Sequence, residues 1–459
     1  MKNLTLEHIT DCCHGTYIGT EEQQGFEVTG VVIDSRKVEA GNLFVAIKGE
    51  RVDGHTFIDA VYEQGAAAVV SQQRLENPKG PYILVDSTTQ ALKDIAAFYR
   101  NSLDIKVVGI TGSVGKTSTK EMIASVLSEK YRVLKTAGNF NNEIGLPLTI
   151  FRLSEEEGCV FLAGNFGFNE MPFGVIRNDI CDRHRLCHLE NLGSRDGILK
   201  AKTEIFEHLN GTGTVILNGE DDRLSTVENV NGKVPVFYGK SEKNQCGKEN
   251  CIYATEIRNL GLDGMKAVFH FPECTKEVEI PIPGEHNVLN ALAGACVGME
   301  LGLDVEQICA GIKKAQTIGG RTNLIHANDM LIIDDCYNAN PVSMRASIDV
   351  LTQAKGRMIA VLGDMGELGA DEKRLHYEVG AYAASRGLDA LFCCGELSKE
   401  LAKGAEEHSE TMEIFYFATK EELLLHLKSY LKKGDTILVK ASHFMEFPDI
   451  VRSLQASVQ

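Results

Sequence analysis

Long apolar runs are missing from this chain of 459 residues. No stretch approaches the ~18 consecutive apolar residues that a membrane-spanning helix needs. The opening residues, MKNLTLEHIT, lack the apolar centre of a secretory signal peptide. Internal repeats and low-complexity tracts are also absent. We therefore expect globular domains with no membrane span, working in the cytoplasm.

Positive charge is in short supply. Asp and Glu number 64 against 47 Lys and Arg, which leaves a net charge of -17. Nucleic-acid binding relies on Lys and Arg that neutralise phosphates, so we expect no nucleic-acid partner. Any anionic ligand must be held by local groups instead.

The cysteines do not have the pattern of a disulfide framework. Their number, 13, is odd, and they are scattered apart from the adjacent pairs Cys12-Cys13 and Cys393-Cys394. We expect reduced thiols, mostly buried as small apolar side chains.

Strand-like and helix-like segments alternate along most of the chain. Examples are LFVAI, VVGIT, TVILN, LIIDD and DTILVK, with helical patterns between them. This alternation predicts an α/β fold with mainly parallel sheets covered on both faces. Glycine, proline and charge predict domain boundaries that give residues 1–101, 102–317 and 318–459.

A glycine-rich turn in VVGITGSVGKTSTKEM follows an apolar strand and precedes a predicted helix. Such a turn aims backbone N–H groups at an anion, and the helix N-terminus adds a favourable dipole. The predicted phosphate-binding residues are Gly112, Ser113, Val114, Gly115, Lys116, Thr117 and Ser118. Lys116 suits the terminal phosphates of ATP as a catalytic residue, and the Thr117 hydroxyl suits Mg²⁺.

The spacing of this turn departs from the general P-loop pattern. Ile110 stands where the first glycine is expected, and Gly109 lies one residue early. An ordinary glycine-rich turn therefore remains an alternative to a site for ATP or another triphosphate. The motif alone does not identify the group that accepts the phosphate.

The variant TGSVGKT resembles the P-loop of the Mur ligases and the related folylpolyglutamate synthases. Other segments agree with the Mur ligases in the correct order along nearly the whole chain. They are DSRKVEAGNLFVAIKGERVDGHTFI, GNFNNEIGLPLT, HLENLGSRDGILKAKTEIF, PGEHNVLNALA, IDDCYNANPVSM and VLGDMGELG. Each segment alone is weakly informative, but the ordered set is highly specific.

This resemblance implies both a fold and a reaction. The fold has an N-terminal UDP-binding α/β domain, a central P-loop ATPase domain with a mainly parallel sheet, and a C-terminal Rossmann-like domain. These ligases phosphorylate a carboxylate with ATP and then let an amine attack the acyl phosphate. The segments most resemble the member that joins D-alanyl-D-alanine to UDP-N-acetylmuramoyl-tripeptide for peptidoglycan synthesis.

The implied ligands are therefore these two substrates, ATP and about two Mg²⁺ ions. We expect the chain to act as a monomer. Two other interpretations stay open: an inactive or impaired relative that still binds nucleotide, and another amide ligase of the superfamily.

The resemblance also assigns catalytic roles. It implies that His188 and Lys202 are Mg²⁺ ligands. It also implies that Lys116 and Arg321 both act on the ATP phosphates. The family's lysine is carbamylated, which offers the hard cation an anionic oxygen instead of an ammonium group. Without the resemblance, Lys202 would be interpreted as a solvated charge on a helix.

Four further polar residues are candidates for contact with the nucleotide. Asn290 lies three residues after Asn287 and four after His286, so one helix end would present all three to a base and ribose. Asp335 follows the apolar run LII and suits a nucleotide as a strand-end carboxylate. A plain strand-end cap is the alternative for Asp335.

Candidate substrate-binding residues lie in two other turns. Ser35 and Arg36 offer hydroxyl and guanidinium donors to a nucleotide diphosphate. Asn141 and Asn142 offer neutral amides to a peptide or sugar. A solvated charged turn and ordinary asparagine turn chemistry are the respective alternatives.

One stretch departs from the family. The family expects Glu-Met-Gly, with a Mg²⁺-binding glutamate, and later a Thr-Asn-Ile-Gly strand, where this chain has AGNFGFNEMPFGVIRNDICDRHRL. A shifted reading frame, or divergence after loss of selection, would produce such a departure from the family's sequence. Because its charges do not suit a buried strand, we expect that residues 163–187 do not complete the central sheet and that activity is reduced.

A metal site is a second interpretation of the same stretch. Its candidate ligands would be Cys181, His184, Cys187 and His188. Their C-x2-H-x2-C-H spacing matches no usual zinc pattern, so we do not favour it.

Overall fold

The computed structural model describes most of the chain, in ranges separated by short gaps. The described residues are 1–49, 52–111, 115–136, 143–154, 159–163, 171–176, 206, 209–240, 251–317 and 319–456. In 159–163, 171–176 and 209–212 only the backbone is described. The chain divides into two compact units. One is Met1–Gly109 with Tyr131–Phe173 and His208–Gly213, and the other is Ile110–Lys130 with Gly174–Glu207 and Thr214–Gln459.

The first sheet contains five strands within the described residues, in the order β1-β5-β4-β3-β2. Its strands are β1 Thr16–Ile18, β2 Gly30–Val32, β3 Asn42–Val45, β4 Ala68–Ser71 and β5 Tyr82–Leu84. The helices of this region are α1 Leu6–Cys12, α2 Glu21–Gln24, α3 Ile58–Glu63 and α4 Thr88–Asn101, with 3₁₀ helices at Ser35–Lys37 and Gly54–Phe57. Only β1 runs antiparallel to its neighbour.

Both faces of this first sheet are covered. Leu43 and Val45 pack into a core with α1 and α4, whereas Phe44 and Ala46 pack on the opposite face with α3. Alternate side chains of a strand point to opposite faces, so a strand buried on both sides reads as a continuous apolar run. The continuous apolar run LFVAI therefore matches a strand that is buried on both faces.

The second sheet has nine strands among the described residues, in the order β14-β13-β12-β11-β10-β9-β6-β8-β7. They are β6 Lys106–Thr111, β7 Val133–Lys135, β8 Cys159–Ala163, β9 Met171–Ile176, β10 Leu209–Asn218, β11 Val236–Gly239, β12 Cys251–Asn259, β13 Met265–His270 and β14 Thr275–Ile280. The helices are α5 Lys116–Leu127, α6 Gly145–Ile150, α7 His286–Glu300 and α8 Val305–Lys313, with 3₁₀ helices at Leu224–Thr226 and Gly261–Asp263. The pairs β7/β8, β10/β11 and β11/β12 are parallel, and β12, β13 and β14 form an antiparallel extension.

The strand β9 corrects an expectation about residues 163–187. Its residues MPFGVI occupy a position between β6 and β10, inside the sheet. The prediction that this stretch does not complete the sheet is therefore wrong for the backbone of Met171–Ile176. The reason is that the strand uses the apolar segment MPFGVI, whereas the charges on which the prediction rested, from Arg177 onward, lie outside the described part of the chain.

Small residues let α5 pack closely against α7 and α8. A Cβ placed on Gly311 of α8 would lie 2.4 Å from Cα of Val126 in α5. The Ser125 hydroxyl donates a hydrogen bond to the Gly311 carbonyl oxygen at 2.7 Å. Backbones that approach this closely hold α5 firmly in position.

The third sheet has six strands within the described chain, in the order β15-β16-β20-β17-β18-β19. They are β15 Asn323–Ala327, β16 Met330–Asp334, β17 Met358–Gly363, β18 Ala390–Cys394, β19 Glu413–Phe417 and β20 Thr436–Lys440. The helices are α9 Pro341–Leu351, α10 Glu372–Ala384, α11 Ser398–Glu406, α12 Lys420–Tyr430 and α13 Pro448–Gln455, with 3₁₀ helices at Gly369–Asp371 and His443–Met445.

All neighbouring strands of the third sheet are parallel except β15 and β16. The carboxyl ends of β16, β20 and β17 therefore meet at one edge, where open α/β sheets bind ligands. Every residue of β18 and β20 is buried, as expected for strands covered on both faces.

The sheets confirm the predicted α/β class, with mainly parallel central strands. The domain boundaries at residues 101 and 317 stay a prediction. Within the described ranges, no helix combines the length and apolar character that crossing a bilayer requires.

Most cysteines in the described part of the chain are free thiols, as expected. Free thiols are described at Cys12, Cys13, Cys274, Cys296, Cys309, Cys336, Cys393 and Cys394. The expectation is wrong for Cys251, which is disulfide-bonded. Chain spacing does not determine pairing, so the sequence could not have singled out this cysteine.

Candidate functional site

The strand β6 and the helix α5 flank the predicted phosphate-binding turn. Gly115 is the N-cap of α5 and has φ +76°, a left-handed conformation that favours glycine. Lys116, Thr117 and Ser118 follow in the first helical turn and are partly exposed. They lie at the positive end of the α5 dipole, where an anion is stabilised.

A chain of neutral hydrogen bonds links α5 to the start of α7. The Thr119 hydroxyl oxygen lies 2.8 Å from Oδ1 of Asn290. Asn290 Nδ2 donates to Oδ1 of Asn287 at 2.6 Å, and Asn287 Nδ2 donates to the Pro283 carbonyl oxygen at 2.8 Å. Asn287 and Asn290 are 2% and 0% exposed, whereas His286 is partly exposed. Contact of these residues with a nucleotide stays a prediction, and the described bonds of both asparagines are internal.

The carboxylate of Asp335 is already engaged by several protein donors. Nζ of Lys440, the last residue of β20, donates to Asp335 Oδ2 at 2.6 Å and to the carbonyl oxygens of Asp335 and Asn338 at 3.2 and 3.0 Å. Asp335 also accepts from the Thr322 N–H at 3.0 Å and from the Ser347 hydroxyl. Lys440 is only 2% exposed. Asp335 thus connects the end of β16 to three other segments.

Arg321 lies just before β15 and stacks on an aromatic ring. Its guanidinium carbon is 4.1 Å from the centroid of Tyr337. Burial lowers the pKa of Arg321, but an arginine stays charged at neutral pH. Its Nε is buried and has no hydrogen-bond partner among the described residues.

Ser35 and Arg36 are the first two residues of the 3₁₀ helix Ser35–Lys37, which lies between β2 and β3. The Arg36 guanidinium forms a two-point contact with Asp34, with Nε to Oδ1 at 2.9 Å and Nη2 to Oδ2 at 2.8 Å. These hydrogen bonds lower the pKa of Asp34 to about 2. The Arg36 side chain is nevertheless 86% exposed, so an anion can reach it.

His376 of α10 supports the segment that follows β17. It is fully buried, its Nε2 accepts a hydrogen bond from the Met365 N–H at 2.9 Å, and its Nδ1 lies 2.7 Å from the Glu372 carbonyl oxygen. An acceptor at Nε2 and a donor at Nδ1 define one neutral tautomer. Burial lowers the pKa of His376, which favours that neutral form.

Several predicted site residues lie outside the described part of the chain. They are Gly112, Ser113, Val114, Asn141, Asn142, His188 and Lys202, and also Cys181, His184 and Cys187 of the weighed metal site. Among the described residues, no group of His, Cys, Asp or Glu is arranged to hold a metal ion. The assigned roles of these residues stay predictions.

Sequence reasoning missed Lys440, Asp334 and His376. Lys440 could have been recognised from the sequence, because a lysine is the last residue of the otherwise apolar strand TILVK. A charge at the end of a buried strand requires a partner. Nothing in the sequence indicated that His376 accepts a backbone hydrogen bond.

Family models match three consecutive parts of the chain. The model described as Mur ligase family, catalytic domain, matches residues 27–100, the Mur ligase middle domain matches 110–298, and the Mur ligase, glutamate ligase domain, matches 320–443.

Full-length relatives agree with these models. The chain is 36% identical to the UDP-N-acetylmuramoyl-tripeptide–D-alanyl-D-alanine ligase of Bacillus subtilis, over 98% of each protein. It is 35% identical to the enzyme of the same name from Escherichia coli, over 99% of each. The chain belongs to the Mur ligase family.

Solved structures of this family share the whole fold. MurF from Acinetobacter baumannii superposes with a TM-score of 0.84 at 30% identity, covering 98% of both chains. MurF ligase from Thermotoga maritima, solved in complex with ADP, has a TM-score of 0.79 at 28% identity and covers 93% of this chain and 97% of its own. The family and the fold implied by the ordered motifs are confirmed.

We expect Lys440→Met to lower the free energy of unfolding by about 3–5 kcal/mol, because it leaves the Asp335 carboxylate buried without its cation. Urea unfolding measures this change. The matched control is Lys433→Met, which removes an exposed ion pair with Asp329 at 2.7 Å and should cost less than about 1 kcal/mol. Equal losses in both variants would contradict the importance of the buried pair.

We expect His376 to make stability depend on pH. Its folded-state pKa is lowered, whereas the unfolded value is about 6.5. Below that pH the unfolded state binds a proton that the folded state does not, so the free energy of unfolding falls by up to about 1.4 kcal/mol per pH unit. Urea unfolding between about pH 7.5 and 5.5 should show a weaker dependence in His376→Gln.

The matched control for this measurement is His326→Gln, because His326 is exposed. That variant should keep the pH dependence of the unsubstituted protein. A dependence that is the same in all three proteins would show that His376 does not cause it.

Proposed function

We propose that this chain joins D-alanyl-D-alanine to UDP-N-acetylmuramoyl-tripeptide with ATP, in peptidoglycan precursor synthesis. Its similarity over full length to ligases of that name carries the proposal. The γ-phosphoryl group passes to the terminal carboxylate of the tripeptide. The dipeptide amine then attacks the acyl phosphate, and the tetrahedral intermediate collapses to the amide and inorganic phosphate.

The described residues suit the phosphate end of this reaction. The left-handed turn at Gly115 starts α5 so that Lys116 lies at the helix N-terminus. There its ammonium group would bind the transferring phosphoryl group while backbone N–H groups hold the adjacent phosphates. Arg321 would add a second cation, which is partly buried and stacked on Tyr337. The protein contributes mainly position and charge.

We also assign a Mg²⁺ site to this family fold. Bound Mg²⁺ would neutralise charge on the phosphates. The Thr117 hydroxyl, in the first turn of α5, is a hard oxygen ligand of the type Mg²⁺ prefers. His188 and a carbamylated Lys202 would hold a second ion. His286, Asn287, Asn290 and Asp335 remain the proposed nucleotide neighbours.

The other substrate belongs to the N-terminal part of the chain. Ser35 and the exposed Arg36 would bind the UDP diphosphate, and Asn141 and Asn142 the sugar or peptide. We assign these functions to domains bounded at residues 101 and 317. The chain would act in the cytoplasm, where ATP is available, as a monomer.

The test is ligation by the purified protein with ATP, Mg²⁺, D-alanyl-D-alanine and UDP-N-acetylmuramoyl-tripeptide carrying lysine or diaminopimelate. ADP release and the mass of the product are measured, with each substrate omitted in turn. We expect Lys116→Ala to lower the rate by about 10²–10³-fold, because charge stabilisation of the phosphoryl group is lost.

Lys313→Ala is the matched control. The Lys313 side chain is 69% exposed, and it forms a surface ion pair with Glu279 at 2.7 Å. The substitution should leave the rate nearly unchanged. No amide product from any complete mixture would overturn the proposed function, and retention of most activity by Lys116→Ala would remove the P-loop from the mechanism.

We expect added short carboxylates to restore part of the activity of Lys202→Ala, because a free carboxylate can replace the anionic oxygens of a carbamate. Rates with and without acetate or formate measure the effect. A similar restoration in Lys116→Ala would contradict a specific role, and so would no restoration in Lys202→Ala.

A further inference from the structure

Two adjacent carboxylates at the end of β16 hold the backbone on both sides of Arg321. The Gly320 N–H donates to Asp334 Oδ2 at 2.7 Å, and the Thr322 N–H donates to Asp335 Oδ1 at 3.0 Å. The Gly320 carbonyl oxygen in turn accepts from the Tyr337 N–H at 3.0 Å. The residue between these bonds is Arg321.

These bonds hold the backbone in an unusual conformation. Gly320 has φ +78° and Thr322 has φ +49°. Glycine adopts the left-handed region readily, but a β-branched threonine does so only when its surroundings compel it. The acceptors at Asp334 and Asp335 therefore impose a bend that the chain would not choose by itself.

The bend places the Arg321 side chain on Tyr337. The guanidinium carbon lies 4.1 Å from the ring centroid, and the ring of His443 meets Tyr337 edge-on at 6.0 Å. Tyr337 belongs to the segment 334–337, which also carries both carboxylates at the end of β16. One short segment thus fixes both the backbone and the side chain of Arg321.

The two carboxylates are suited to a permanent structural role. Asp334 and Asp335 are 7% and 9% exposed. Asp335 has a buried cation, Lys440, at 2.6 Å, and Asp334 also accepts from the Cys336 thiol at 2.7 Å. A buried carboxylate with several donors holds them strongly, because releasing any donor leaves a charge poorly satisfied.

We propose that Asp334, Asp335 and Lys440 form a clamp that orients Arg321 for the transferring phosphate before the substrates bind. This inference rests on the proposed function and deepens it. Asp335 becomes a positioning residue that acts through Arg321, in addition to any contact with nucleotide. Preorganised cations accelerate phosphoryl transfer because no reorganisation is needed when charge develops.

The alternative is that these bonds only stabilise the third sheet. The two possibilities differ in coupling, because residues that act through one group have non-additive effects. If these residues act as a clamp, replacing one of them no longer lowers the rate once Arg321 has been replaced. A purely structural role lowers the rate by the same factor with or without Arg321.

The experiment combines Asp334→Ala with Arg321→Ala in a double-mutant cycle of the ligation reaction. We expect Asp334→Ala to lower kcat by about 10- to 100-fold through misplacement of the arginine. The KM for the UDP substrate should stay nearly constant, and in the Arg321→Ala background the same change should cost less than about threefold. Asp334→Asn should retain most of the activity, because its amide oxygen still accepts the Gly320 N–H.

The matched control is Asp435→Ala. Asp435 is also buried and accepts a backbone hydrogen bond, from Lys432 at 2.7 Å, but it precedes β20 at the opposite edge of the sheet. Its effect on the rate should be the same in both backgrounds. Equal losses for Asp334→Ala in the two backgrounds would overturn the clamp.

Amide hydrogen exchange tests the clamp without turnover. Exchange at residues 319–323 should quicken in Asp334→Ala and stay unchanged in Asp435→Ala and Asp334→Asn. Unchanged exchange in Asp334→Ala would overturn the clamp even where the ligation rate falls. Failure of the unsubstituted protein to ligate would instead overturn the proposed function, so the two failures are distinguishable.

Discussion

The ion pair between Lys440 and Asp335 organises the edge of the third sheet. One ammonium group at the end of β20 meets one carboxylate at the end of β16, and the same carboxylate accepts from Thr322 and Ser347. Breaking a buried pair leaves an uncompensated charge, at a cost of about 3–5 kcal/mol. The segments before β15, after β16, in α9 and at the end of β20 therefore keep one arrangement.

The helix after the phosphate-binding turn is held by uncharged groups instead. Thr119, Asn290 and Asn287 connect α5 to α7 through buried amide and hydroxyl contacts. Satisfied polar networks of this kind specify one packing of two helices. Being neutral, they add no charge that would compete with Lys116 for a phosphate. Ionic contacts thus hold the arginine side of the proposed site, and neutral contacts hold the lysine side.

The sequence predicted the elements better than the contacts. A glycine before Lys116 and an apolar run before the turn are local signals, so β6 and α5 could be placed. Helical spacing put Asn287 and Asn290 on one face, but spacing cannot tell whether that face meets protein or ligand. The charged residues after Ile176 argued against a strand in residues 163–187, yet Met171–Ile176 pairs within the sheet, because tertiary pairing is not visible in one sequence.

The two arginines proposed to bind anions differ in their contacts with neighbouring side chains. With a net charge of -17, the protein repels anions at long range, and salt screens this repulsion beyond about 8 Å, so local geometry decides binding. Arg36 is paired with Asp34, whose pKa of about 2 keeps the carboxylate charged, so a diphosphate proposed to bind there would share the guanidinium with an existing anionic partner. Arg321 stacks on a neutral ring, and no carboxylate among the described residues forms an ion pair with it. At Arg36 a proposed anion would therefore meet a competing carboxylate, whereas at Arg321 it would meet none among the described residues.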